Sequence, residues 1–144
     1  MQDRPTAVEL LEAAADFVDS ELVPAVQGAR QFQARVVANV MRIVAREIKM
    51  EDPLVRSEVK ALALLLGHEK PHLHGLDDLR KAAAILGEEL TSKIRGGEAD
   101  DGAWRSEVLT VVRQSVEDKL RIANPRYLDS DIAIRNATKE QQEI

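Results

Sequence analysis

Between Phe32 and Met50 the polar residues collapse onto one narrow stripe. Stepped at roughly 100° per residue, Phe32, Val36, Val37, Val40, Met41, Ile43, Val44 and Ile48, with Ala34, Ala38 and Ala45, cover about two thirds of the circumference. Arg35, Asn39, Arg42, Arg46 and Lys49 share the remaining arc, about 80° wide. Only Gln33 and Glu47 stray onto the apolar side. A helix wetted on so thin a strip is expected at the centre of its domain, with a row of guanidinium groups along one edge.

The rest of the chain is punctuated like a set of helices. Thr6-Ala7-Val8-Glu9 has the form of a capping box. It predicts a first helix to about Val23 that buries Leu10, Leu11, Ala14, Phe17 and Val18 and exposes the acids Glu9, Glu12, Asp16, Asp19 and Glu21. Pro24 and Gly28 break the chain before the central helix. Asp52-Pro53 reads as an N-cap followed by proline at the first helical position, so a third helix is expected to start there and to end at Gly67. Leu76, Leu79, Ala83, Leu86, Leu90 and Ile94, spaced in threes and fours, mark a fourth helix that Gly96-Gly97 stops. A fifth, from about Ala103 to Ala123, follows the Asp100-Asp101-Gly102 turn and carries Trp104, Val108, Val111, Val112, Val116 and Leu120 on one side. Asn124-Pro125 ends it, because a residue before proline is pushed out of the helical region. No segment alternates as a strand does. The pattern predicts an all-α bundle of about five helices in a single domain, residues 1–128, with a weakly packed polar tail at 129–144.

Length and composition then narrow the classes. A chain of 144 residues buries a real core without staples. One Trp, one Tyr and two Phe beside abundant Ala, Leu, Val and Ile suit close-packed helices. Absent cysteine removes disulfides and thiolate metal sites and suits a reducing, cytoplasmic compartment. The opening Met1-Gln2-Asp3-Arg4-Pro5 does not resemble a signal peptide. The apolar run Leu62 to Leu66 is far too short to cross a bilayer, so no membrane association is expected. A net charge of −5 argues against a general nucleic-acid binder, since phosphate affinity needs a positive surface. The apolar seam of the fourth helix, with Leu62 to Leu66 and the valine-rich fifth helix, needs a cover. That predicts a two-fold homodimer whose helices share one apolar interface.

Four constellations carry potential chemistry. His68-Glu69-Lys70-Pro71-His72 spells the H-E-x-x-H pattern of zinc peptidases, which needs both imidazoles one turn apart on a helix. Pro71 and the preceding Gly67 deny it that helix, so the stretch reads as a polar loop in which His68, His72 and His74 are weak metal candidates, and no metal or cofactor is expected. The stripe of Arg35, Asn39, Arg42 and Arg46 has two readings. Arginines so placed hold a carboxylate or phosphate in bidentate fashion, or they pair with the acidic face of the first helix. Lys119, with Ser115 one turn before it, interrupts the apolar face of the fifth helix, where a lysine snorkels to water, pairs with a carboxylate or acts as a perturbed amine. Asn124-Pro125-Arg126-Tyr127 matches an N-P-x-Y peptide signal and is also a helix stop that turns Arg126 and Tyr127 back towards the bundle. No Gly-rich phosphate loop, nucleophile elbow or carboxylate dyad is present.

The runs from Phe32 to Glu47 and from Lys119 to Leu128, with the opening Arg4-Pro5-Thr6-Ala7-Val8-Glu9-Leu10-Leu11, resemble a small bacterial family of helical proteins defined as a domain of unknown function. The likeness spans Asp3 to Leu128. Members of that family tend to be encoded beside acyl-CoA dehydrogenases and aminoglycoside-phosphotransferase-like kinases, so the resemblance implies an accessory role in acyl-CoA or related catabolism, with a neighbouring enzyme as partner. It supplies no catalytic residues. The expected function is therefore a non-catalytic accessory protein that docks onto a partner. The alternative is a binding module for an anionic small molecule, such as an acyl-CoA phosphate or a carboxylate. Its residues would be Arg35, Asn39, Arg42 and Arg46, with Lys119, Arg126 and Tyr127 as further ligand contacts.

Overall fold

Thr6 opens the helical part of the chain with a complete capping box: its hydroxyl accepts from the Glu9 amide at 3.2 Å, and its own amide donates to the Glu9 carboxylate at 2.6 Å. The computed structural model describes residues 3–69 and 72–129. Within them the chain forms α1 (Ala7–Phe17), a π-helical segment (Val18–Leu22), α2 (Val23–Ala25), α3 (Ala29–Leu65), α4 (Leu76–Arg95) and α5 (Gly102–Ala123). A helical turn at 125–129 follows. No strand occurs among the described residues, so the chain has the all-α architecture its pattern predicts. The expected polar tail lies outside the described residues from position 130 onwards.

The chain divides into two compact units, Met1–Glu51 and Asp52–Ile144. In the first, the helical run expected to about Val23 ends at Ala25, but it is not uniform: α1 passes through a π turn into α2. The cause is Pro24, which lacks an N–H and crowds the carbonyl four residues back in α-helical register. The wider turn takes up the mismatch, with the Val23 amide donating to the Val18 carbonyl. Gln31 Nε2 then donates to the Val23 carbonyl at 3.1 Å and ties the turn to α3. The buried residues of this unit are alanines: Ala15 of α1, and Ala38 and Ala45 of α3. Small side chains let two helix backbones approach closely.

In the second unit the core is Val59, Leu62, Ala63, Leu79, Leu86, Leu90 and Val108, with Trp104 and Val111 packed against it. Trp104 Nε1 donates to the Leu65 carbonyl at 3.3 Å, while Lys119 reaches Glu58 at 2.7 Å, so α5 runs antiparallel to the end of α3. Leu79 shares a small cavity with Arg56 and Val59, and Glu89 bonds His68. α4 therefore runs in the same direction as α3, and His72, Leu73 and His74 lie back beside Arg56 and Val59. Gly67 and Gly97, both at positive φ, close α3 and α4 with the same cap. His68 and Gly67 donate to Ala63 and Leu64, as Glu98 and Gly97 donate to Lys93 and Ile94.

Three expectations need correction. First, Asp52-Pro53 does not begin a helix, because α3 runs unbroken from Ala29 to Leu65 through Pro53. Proline there removes one bond to the Lys49 carbonyl, but Lys49, Asp52 and Pro53 are all exposed, so water solvates that carbonyl. The compact units nonetheless divide at Glu51/Asp52. The proline marks a change of packing partner, where the sequence suggested a break in the backbone. Second, the seam of α4 is covered from within, since Leu79, Leu86 and Leu90 lie in the unit's own core. Third, the helix expected at the centre of its domain is open on one side: Phe32 is 68% exposed, Val40 50% and Ile48 55%.

Candidate functional site

Within the arginine stripe, Arg42 faces α1 and the π-helical segment that follows it. Arg42 donates from Nη2 to Asp16 Oδ1 at 2.9 Å and from Nη1 to Asp19 Oδ2. The hydrogen bond to Asp19 foremost, then that to Asp16, raises the Arg42 pKa above its already high ordinary value, while desolvation works the other way. α1 supplies the acids because its exposed face is acidic, and α3 supplies the cation because its polar residues form one strip. Asp16 and Asp19 lie three residues apart and so share a face of the helical run. Of the two readings of the stripe, charge pairing within the chain is the one Arg42 follows. Arg35 and Asn39 are exposed and Arg46 is half-buried. The guanidinium most centrally placed to grip an external anion is thus already occupied by two carboxylates.

Lys119 belongs to a polar triangle at one end of a groove in the second unit. Its Nζ donates to Glu58 Oε1 and to Ser115 Oγ, each at 2.7 Å, and the Ser115 hydroxyl donates to the same Glu58 oxygen. Glu58 is the buried corner, with 16% of its side chain exposed against 68% for Lys119. Of the three fates open to this lysine, it takes the ion pair. Each member of the triangle is hydrogen-bonded to the other two, which fixes the three side chains relative to one another.

The groove beside it encloses about 920 Å³ between α4 and α5, above Glu58 and Leu62 of α3. Its floor is apolar, with Leu62, Leu90, Val111 and Val116, and Arg95 lies on its rim. One wall contains Gly87, in the interior of α4, where an added Cβ would meet nothing within 4 Å. No packing demand inside the chain accounts for a glycine there. Glu58, Gly87 and Arg95 were not singled out by sequence reasoning. Glu58 lies sixty-one residues from Lys119, and no local periodicity links the two. Gly87 carried a signal, an isolated glycine within a helical pattern.

The remaining candidates stand apart from the groove lining. His68 is bonded through Nε2 to Glu89 Oε2 at 2.8 Å. Residues 68–69 and 72–74 are not helical, so His68 and His72 are not presented one turn apart as zinc-peptidase chemistry requires. His72 and His74 border the small cavity with Arg56 and Leu79. No group of three His, Asp or Glu side chains fit to hold a metal occurs among the described residues. Arg126 and Tyr127 sit exposed on the closing turn, and Tyr127 donates its amide to the Asn124 carbonyl at 3.1 Å. Arg35, Asn39, Arg42 and Arg46 belong to the first unit, whereas Lys119, Arg126 and Tyr127 belong to the second. No helix among the described residues is long and apolar enough to cross a membrane.

Comparison with known proteins identifies a family. The model of a domain of unknown function, DUF6285, covers residues 24–127. No curated protein and no solved structure matches the chain.

Proposed function

We propose that this chain, which belongs to the DUF6285 family, is a cytoplasmic, non-catalytic interaction protein whose docking surface is the open face of α3. One observation carries the reading. Phe32, Val36, Val37, Val40 and Ile48 are exposed on a single face of a helix whose other side is buried against α1. A soluble chain rarely leaves so many large apolar side chains contiguous and uncovered unless another protein covers them. The polar triangle at Lys119 points the same way, because its members satisfy one another. The resemblance to proteins encoded beside acyl-CoA dehydrogenases and phosphotransferase-like kinases supports an accessory role next to such an enzyme. A photo-crosslinking residue in place of Val40, introduced in the native host, tests the reading. The expected product is a discrete protein–protein adduct identified by mass spectrometry. The absence of any adduct, from a chain that is a monomer in solution, would sink it.

A second reading, a module for an anionic small molecule, is favoured by the groove rather than by the stripe. Arg42 is committed to Asp16 and Asp19, while the groove joins an apolar floor to the Lys119 ammonium and the Arg95 guanidinium. Thermal-shift screening against carboxylates and phosphorylated metabolites checks it. A shift that disappears in Arg95→Ala supports this reading, and a flat response across the panel counts against it.

A further inference from the structure

We infer that the open face of α3 is covered by a second copy of the same chain, packed antiparallel about a two-fold axis through Val40. The inference rests on the docking reading above and names the partner. Three features of the face carry it.

The first is area. From their fractional exposures, Phe32, Val36, Val37, Val40 and Ile48 together present apolar surface that comes to roughly 500 Å². One partner in a standard interface contributes about 800 Å², somewhat over half of it non-polar. The face therefore matches one side of a stable protein–protein contact.

The second is self-complementarity. Stepped around the helix, the exposed apolar arc is centred close to Val40. Its two polar intruders are Gln33 and Glu47, each seven residues from Val40, on opposite sides along the axis and about 20° either side of the centre line. An antiparallel two-fold at Val40 brings each Gln33 level with the partner's Glu47. Two amide-to-carboxylate hydrogen bonds then give a partner to both polar side chains that the arc carries between Phe32 and Ile48. A parallel pairing instead sets Glu47 beside the partner's Glu47, which brings like charges together. The symmetric placement of the only two intruders is what a two-fold isologous contact requires, whereas a contact with an unrelated protein places no such condition on them.

The third is the location of charge. Between Phe32 and Met50 the cations of α3 lie on the opposite arc, and Arg42 there is paired with Asp16 and Asp19 of the same chain. The face itself thus brings no row of like charges against its copy.

Sedimentation equilibrium of the full chain at tens of micromolar tests the inference. The expected mass is twice the 16.0 kDa of one chain. Val40→Glu, which sets two carboxylates against each other on the axis, should give a helical monomer. Val40 is half exposed in the single chain, so circular dichroism is expected to show the helix content retained. Gln33→Glu should weaken the dimer at least about tenfold by opposing Glu47, and adding Glu47→Gln to it should restore the affinity. Gln33→Lys should hold or tighten an antiparallel dimer and weaken a parallel one, so its sign reports the orientation. A wild-type mass of one chain overturns the inference. So does a dimer indifferent to Val40→Glu, which would place the contact on another face. If the chain is a monomer in solution yet crosslinks to a different protein through position 40 in the host, the second copy is wrong and the docking reading stands; a monomer with no crosslink removes both.

Discussion

Gly87→Ala offers a direct measurement of how empty the groove is. In a helix interior, glycine is less favourable than alanine by about 0.8–1.0 kcal/mol, because it gives up more backbone freedom on folding. Usually that gain is offset when the new methyl collides with a neighbour or the backbone sits at positive φ. Neither applies here: Gly87 is not among the positive-φ glycines, and a Cβ built on it meets nothing within 4 Å. The substitution should therefore stabilise the second unit by about 0.5–1 kcal/mol. For a unit of this size that is a rise in melting temperature of about 2–8 °C. Trp104, the only tryptophan of the chain, packs against the core of that unit, so its fluorescence follows the melt. The methyl also projects into the space a ligand would use. If the groove is a binding site, Gly87→Ala raises the melting temperature of the free protein while diminishing any ligand-induced shift, a combination that helix propensity alone does not produce. A melting temperature unchanged or lowered in the free protein would refute the reasoning, because it would mean that the space beside Gly87 is already filled.

Two further outcomes are expected. Arg42→Ala removes the bridge to Asp16 and Asp19, a solvent-exposed network, so the loss should be about 0.5–1 kcal/mol and should shrink in high salt. Because folding raises the Arg42 pKa, the contribution is complete from neutrality up to the ordinary arginine value, and on the alkaline side it is lost only as pH rises through the higher folded value. The difference in urea midpoint between wild type and Arg42→Ala should accordingly stay level from neutrality to about pH 10, and a steady decline over that range would contradict the assignment. Pro53→Ala restores a donor to the Lys49 carbonyl within α3 and should stabilise the chain by about 1–3 kcal/mol, with a gain in helical circular dichroism. A loss of stability would show that the helix ends at Asp52 in solution.

Helix positions were largely legible in the sequence because their signals are local. The capping box at Thr6, the glycine caps at Gly67 and Gly97 and the stop at Asn124-Pro125 each act within a few residues and placed α4 and α5 to within a residue or so. The H-E-x-x-H stretch was readable for the same reason, since proline and glycine chemistry decides locally whether it is helical. The groove was not legible. Lys119 finds its carboxylate on another helix, and the volume above Leu62 exists only once α3, α4 and α5 are set in parallel and antiparallel register. Periodicity states which side of a helix is apolar. It does not state which neighbour meets that side.

The same limit explains two of the three places where the pattern misled. Asp52-Pro53 has the chemistry of a helix start, yet the Leu54, Val55 and Val59 that follow continue α3 with apolar positions to bury, and Val59 joins the core of the second unit. Tertiary burial at Val59, Leu62 and Ala63 outweighs one lost hydrogen bond on a solvated edge. Further back on the same helix, an apolar arc of about two thirds of the circumference calls for cover on two sides. α1 supplies one, because Asp16 and Asp19 draw it onto the edge where Arg42 and the small side chains of Ala38 and Ala45 lie. A second helix with a matching apolar face would close the other. Among the described residues of the first unit only α2 remains, and at three residues it is too short to do so. The apolar width of the helix was thus read correctly as a demand for burial. What the single sequence did not carry is that the demand exceeds what one copy of the first unit supplies, and that excess is the physical reason to look for the rest of the cover in another chain.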